Sequence, residues 1–182
     1  EQSELTPVSS IQTPSGETES ARSLLTISIR FSLRDSGIKT EAIERMSKLD
    51  QANPEDSPKI TFYQSMILVA DGMISLGERY RVKALEMAAA ESDPVRRSEL
   101  ETIASVCGNV PANPPQSFHE AIQFAWFVEL AGIISENPLA LNVGRFDQFM
   151  YPYYKKDKDA GIIDHDTALE LIELLWFKYS EW

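Results

Sequence analysis

Few side chains in this sequence could do chemistry. It holds one cysteine, Cys107, and two histidines, His119 and His165. A lone thiol closes no internal disulfide and supplies no multi-cysteine zinc site, so no metal is expected. His119 lies beside Glu120 in the first turn of an expected helix, where it could act as a general base; capping or packing is the competing role. His165 sits between Asp164 and Asp166 in another first turn and is expected to be exposed. No serine is placed to pair with either histidine, and no glycine-rich phosphate loop occurs. Glu129 stands out because it interrupts an apolar helix, and a buried carboxylate needs a partner. A structural hydrogen bond competes there with acid–base work.

These residues must be positioned by helices. Residues 1–23 are rich in Ser, Thr, Glu and Gln, as a flexible tail would be. Residues 24–35 alternate apolar and polar and read as a strand. Ala42 to Leu49 reads as a short helix, and Asn53-Pro54 as a turn. Phe62, Met66, Val69, Met73, Leu76, Tyr80, Ala84 and Met87 recur three or four apart, which predicts a long helix ending near Glu91 with that stripe in the core. Asp93-Pro94 starts a helix that runs to about Cys107. Val110 to Pro115 is an extended connector, and Ser117-Phe-His-Glu120 is a capping box. The helix that follows is apolar nearly all round, hence buried on most faces. Glu136 to Gly144 is expected to be a loop or short strand, and Arg145 to about Lys156 a helix kinked or restarted at Pro152. Gly161 is a stop, and Asp164 caps a last helix with Leu169, Ile172, Leu175, Trp176 and Tyr179 on its buried face. The chain stops at Trp182 in an apolar run without a C-cap, as a truncation would.

The 182 residues suit one domain, and 43% hydrophobic residues can build a core. The net charge of −11 disfavours nucleic acid and anionic membranes as partners. No uninterrupted run approaches the roughly 18 apolar residues of a membrane span. No basic-then-apolar leader opens the chain, which favours the cytoplasm.

Two strings carry a resemblance: Val110-Pro-Ala-Asn-Pro-Pro-Gln-Ser-Phe-His-Glu-Ala121 with Trp126-Phe127, and Gly144-Arg-Phe-Asp-Gln-Phe-Met-Tyr-Pro-Tyr-Tyr-Lys-Lys-Asp157. Phe62-Tyr63, Asp93-Pro-Val-Arg-Arg97, Glu99-Leu100, Ile103-Ala104, Leu175-Trp176 and Ser180-Glu181 fit around them in order and spacing. From Gly37 onward the sequence resembles the glycyl-radical enzymes of the pyruvate formate-lyase-like family, in form closer to the diol-dehydratase and arylacetate-decarboxylase branch. The resemblance implies two divisions: a poorly matching segment 1–36, and a partial family domain over 37–182. It implies a mainly α chain, a helical segment of an α/β barrel fold with at most one or two short strands.

In that family a glycyl radical takes hydrogen from a cysteine thiol, and the thiyl radical takes hydrogen from the substrate. A separate iron–sulfur activase, which uses S-adenosylmethionine, installs the radical. The radical loop reads Arg-Val-x-Gly-aromatic; the nearest string here is Arg81-Val82-Lys83-Ala84, inside a helix and without the glycine. The thiyl loop reads Gly-Cys-x-Glu, which Val106-Cys107-Gly108-Asn109 does not fit. The chain is therefore expected to hold no catalytic residue and no cofactor, and to be inactive alone. Its partners would be the rest of such an enzyme or a full-length relative, the activase, and further copies of itself. A non-catalytic helical assembly protein is the alternative. In diol-dehydratase relatives the loop before Gly-Arg-Phe-Asp-Gln presents a His-Ser pair to substrate hydroxyls. Leu139 and Ala140 stand there in this chain, so Leu139, Ala140, Leu141, Asn142, Arg145 and Asp147 are the substrate-pocket candidates. Apolar walls favour an apolar, arylacetate-like substrate, unless Pro138 turns these side chains into packing. Arg145 and Asp147 are two apart and do not share a helix face. They would touch substrate or serve the structure.

Overall fold

A computed structural model describes residues 38–136 and 143–181. Six helices account for most of them: α1 (Ile38–Met46), α2 (Ser57–Ala90), α3 (Pro94–Asn109), α4 (Phe118–Glu136), α5 (Phe146–Asp159) and α6 (His165–Tyr179). There is no strand among the described residues. The strand expected over 24–35 and the tail before it lie outside them.

The helix ends follow local chemistry. Between α1 and α2, Asp50 accepts from the Ala52 N–H and Asn53 from the Glu55 N–H, so two side chains build the turn. At α3 the Asp93 carboxylate accepts from the Val95 N–H at 3.0 Å, ahead of Pro94 in the first turn. At α6 the Asp164 carboxylate accepts from the Thr167 N–H at 2.8 Å. Gly161 has φ +68°, a left-handed conformation in which a side chain would be strained. Pro152 does not break its helix; α5 runs through it to Asp159, with the proline on the solvent side. The last helix also closes with a local cap. The Ser180 N–H donates to Trp176 O, and its hydroxyl donates to Phe177 O.

Helices α2 and α3 form an antiparallel hairpin. It is joined at Glu91 to Asp93 and closed at its far end where Gly77 meets the turn after α3. A Cβ on Gly77 would fall 2.5 Å from Pro111 Cδ and 3.1 Å from Val110 O, so only glycine permits this approach. Helix α1 crosses the other half of α2, where Lys39 pairs with Asp71. Helix α4 is the centre of the remainder. Ala121, Ile122 and every residue from Phe124 to Leu130 are buried. They pack with Val106, Cys107 and Val110 of the α3 end, Phe149 and Met150 of α5, and Ala168 and Leu175 of α6.

Two expected core faces are corrected. On α2 the buried residues are Ile60, Gly77, Ala84 and Ala88, with Met66, Met73 and Leu76 half-buried. Phe62, Val69, Tyr80 and Met87 are exposed, and Leu68 reaches 74% exposure. The close contact with α3 selects small residues, which a search for large apolar side chains passes over. On α6 the buried face is Ala168 and Leu175 with half-buried Leu171, Ile172 and Tyr179; Leu169 and Trp176 lie one step round the helix and are exposed. One further expectation changes. By length and composition alone α2 is apolar enough to cross a membrane, because its apolar residues add up on average without forming an unbroken run. Asp71, in mid-helix and paired with Lys39, is a group that lipid disfavours.

Candidate functional site

The α4–α5 hairpin carries the candidate loop. Its base is fixed by long-range polar contacts. Asp157, only 2% exposed, accepts from the Phe118 N–H at 2.6 Å. Lys156 Nζ donates to Gln116 O at 2.8 Å, and the rings of Phe118 and Tyr154 meet edge-on at 5.7 Å. A carboxylate at a helix N-terminus satisfies a free donor and complements the helix dipole. The expected capping box forms with a shift. The Glu120 N–H donates to Ser117 Oγ at 3.2 Å, but the Glu120 carboxylate accepts from Gln116 N–H and Asn109 Nδ2, ahead of the Ser117 N–H. The connector is thereby tied to the end of α3. It also turns more tightly than expected, with the Asn113 N–H on Asn109 O.

The candidate pocket residues fall, in sequence, between α4 and the first turn of α5. Leu139, Ala140, Leu141 and Asn142 lie outside the described residues. Arg145 and Asp147 are described and exposed. Arg145 precedes α5, and its guanidinium donates to Gln148 Oε1 at 3.5 Å. Asp147 lies in the first turn of α5, where a negative charge is favourable. Among the described residues the two do not pair with each other. Beside them runs a chain of rings. Phe146 and Trp176 are 5.8 Å apart, Trp176 and Tyr179 5.4 Å, Tyr179 and Trp126 6.2 Å, joining the start of α5 to α6 and α4.

Glu129 lies in that neighbourhood and is 7% exposed. Its Oε2 has no hydrogen-bond partner among the described residues, nor does the Tyr179 hydroxyl. Desolvation pushes Glu129 above the usual carboxylate range, and Tyr179 is driven up by burial and by the field of Glu129. A structural hydrogen bond is expected for Glu129, and none forms at Oε2 among the described residues. His119 is half-buried, and burial lowers its pKa. His165 is exposed, with Asp166 at 3.2 Å. Cys107 is 3% exposed, and burial pushes its thiol up to about 11, so it is an inert core residue. The Arg81-Val82-Lys83-Ala84 string is mid-helix, with Arg81 paired to Glu78 and Ala84 buried. No cluster of three or more His, Cys, Asp or Glu able to hold a metal occurs among the described residues.

Sequence reasoning placed Tyr179 on the buried face of the last helix but gave neither it nor Asp157 a polar role. Asp157 sits among Lys155, Lys156, Lys158 and Asp159, like one more solvated charge. Its donor is 39 residues away, and nothing local announces it.

Residues 35–182 match the pyruvate formate lyase-like family. The chain is 40% identical over 147 residues to an isethionate sulfite-lyase of Nitratidesulfovibrio vulgaris, covering 80% of this chain and 18% of that protein. A glycyl radical enzyme from Archaeoglobus fulgidus superposes with TM-score 0.77 at 35% identity, over 84% of this chain and 20% of that one. The B12-independent glycerol dehydratase from Clostridium butyricum superposes with TM-score 0.76 at 36% identity, over 85% of this chain and 19% of that one. The chain thus spans less than a fifth of the curated relative's length, and it is a helical segment of the glycyl-radical-enzyme barrel fold. With the match running from residue 35 to residue 182 and two glycyl-radical structures sharing its helices, the chain belongs to the pyruvate formate lyase-like family.

Proposed function

We propose that this chain is a helical part of a glycyl-radical lyase and that by itself it turns over no substrate. The observation that carries this is the state of its only thiol. Cys107 is packed in the core, its proton is held tightly, and no radical-loop glycine follows Arg81-Val82. A hydrogen-relaying sulfur must meet both a glycyl radical and substrate, and a core cysteine meets neither. On this reading the radical glycine and relay cysteine lie in loops outside these 182 residues. The iron–sulfur cluster and S-adenosylmethionine belong to the activase, since one cysteine and two histidines cannot ligate such a cluster. The reaction of the whole enzyme is radical cleavage of a C–C or C–O bond, or decarboxylation, under anaerobic conditions in the cytoplasm.

Leu139, Ala140, Leu141, Asn142, Arg145 and Asp147 contribute one wall of the substrate pocket. Leu139 and Ala140 lack the hydrogen-bonding groups that a polyol needs, each worth roughly 1 kcal/mol, so the substrate is small and apolar or aromatic. The partners are the rest of the enzyme or a full-length relative, and further copies. Exposed Phe62, Leu68 and Val69 on α2 and Leu174, Trp176 and Phe177 on α6 support a protein partner. The charge of −11 supports neither nucleic acid nor an anionic membrane.

The test is anaerobic treatment of the purified chain with an activase and S-adenosylmethionine, read by electron paramagnetic resonance. No organic radical is expected. A glycyl-type doublet would overturn the reading. Light scattering should show self-association through the apolar faces, and a monodisperse monomer would count against the partner assignment.

A further inference from the structure

Glu129 Oε2 and the Tyr179 hydroxyl oxygen are both buried at the junction of α4 and α6, and neither has a hydrogen-bond partner among the described residues. The surroundings are apolar. Ala125, Trp126, Phe127, Val128 and Leu130 flank Glu129 on α4 and are all buried. Trp126, three residues back on the same helix face, touches the Tyr179 ring. The groups that could neutralise a carboxylate here are few. On α6 the Tyr179 hydroxyl is in electrostatic contact with Glu129. From α2, Tyr80 meets the core edge-on at Phe127. From α3 comes the neutral thiol of Cys107, and from α5 the half-buried Tyr153. None of these three acts on the Glu129 carboxyl, which is shifted by desolvation alone. Among the described residues no cation shifts it. Both orphan oxygens are sealed from solvent, so a group delivered from outside could not reach them without opening the junction.

An ionised carboxylate in such a site would hold a full charge with Oε2 unanswered, while the neutral carboxylic acid avoids the cost of desolvating that charge. The Tyr179 hydroxyl makes no hydrogen bond to Oε2 and does not offset that cost. We propose that Glu129 is buried as the neutral carboxylic acid and that loss of its proton as pH rises loosens α6 from α4, making this junction a pH-sensitive latch. The folded state then binds a proton that the unfolded state releases. Stability from this group is complete below the ordinary glutamate range, about 4. It is lost as pH rises through the elevated folded value, by up to about tenfold in the folding constant per pH unit.

The test is urea unfolding of the full 182-residue chain, read by the fluorescence of its tryptophans across about pH 5 to 9. The wild-type folding constant should fall toward alkaline pH. In Glu129→Gln that fall should vanish, leaving the variant the more stable at the alkaline end. In Tyr179→Phe the fall should remain, because the carboxyl is still buried. Parallel pH profiles for wild type and Glu129→Gln would overturn the proposal. If Glu129→Gln does not fold, infrared spectroscopy of the wild type decides: the carbonyl band of a protonated carboxylic acid should persist at about pH 5, above the ordinary glutamate value, and its absence there overturns the proposal.

Discussion

Two carboxylates are buried in the described chain, Asp157 against the start of α4 and Glu129 on α4 itself. Asp157 meets the first turn of the helix, where the Phe118 N–H has no partner within the helix and the dipole is positive. Glu129 belongs to α4 itself and projects from its middle, where backbone donors are already used, and its Oε2 is unanswered among the described residues. Similar burial has opposite consequences. A helix end can hold a buried acidic group because it brings donors; a helix middle can hold one comfortably only in neutral form. Asp157 therefore fastens the hairpin base, while Glu129 leaves the α4–α6 junction dependent on a proton.

The largest effect should come from Asp157→Ala. It leaves the Phe118 N–H buried without an acceptor and should cost about 3 kcal/mol in urea unfolding. If it cost no more than a substitution at Glu129, the contrast would fail. Gly77→Ala tests whether the α2–α3 hairpin depends on close approach as the α4–α5 hairpin depends on a cap. Its Cβ must displace the Pro111 ring, and about 2 kcal/mol should be lost. Glu129→Leu should act in the other direction. Replacing a buried, unpartnered acid by an apolar side chain of similar size should raise stability by about 1 to 2 kcal/mol at alkaline pH. Ser117→Ala removes the weaker, local cap of α4 and should cost about 1 kcal/mol.

The smallest effect is on the acid side. The pKa of His119 is lowered by burial, so its stabilising contribution is present above the ordinary histidine value of about 6.5. It is lost as pH falls through the depressed folded value. Stability should therefore decline toward both ends of the pH range, and Glu129→Gln should remove only the alkaline decline.

The helices were legible because their signals are local. Asp93-Pro94, Ser117, Gly161 and Asp164 each act within a few residues, and each was placed correctly from the string alone. The burial of α4 was also legible, since a helix apolar on every side has no face to give to water. Orientation was less so. On α2 the expected stripe and the buried face share Ala84 but otherwise differ, because Gly77 and Ala88 are buried for their size, which a hydrophobic pattern does not record. The family was legible from the ordered strings around Pro114 and Gly144.

The sequence by itself determined the helical content, most of the caps, the central place of α4 and the family, because those depend on neighbours three or four residues apart or on motif order. Only the tertiary structure decided which carboxylate is answered. Asp157 finds its donor across 39 residues, and Glu129 finds none for Oε2 against Tyr179, fifty positions further along. Whether a buried charge is solvated depends on what the fold brings against it, and that partner is not written beside it in the chain.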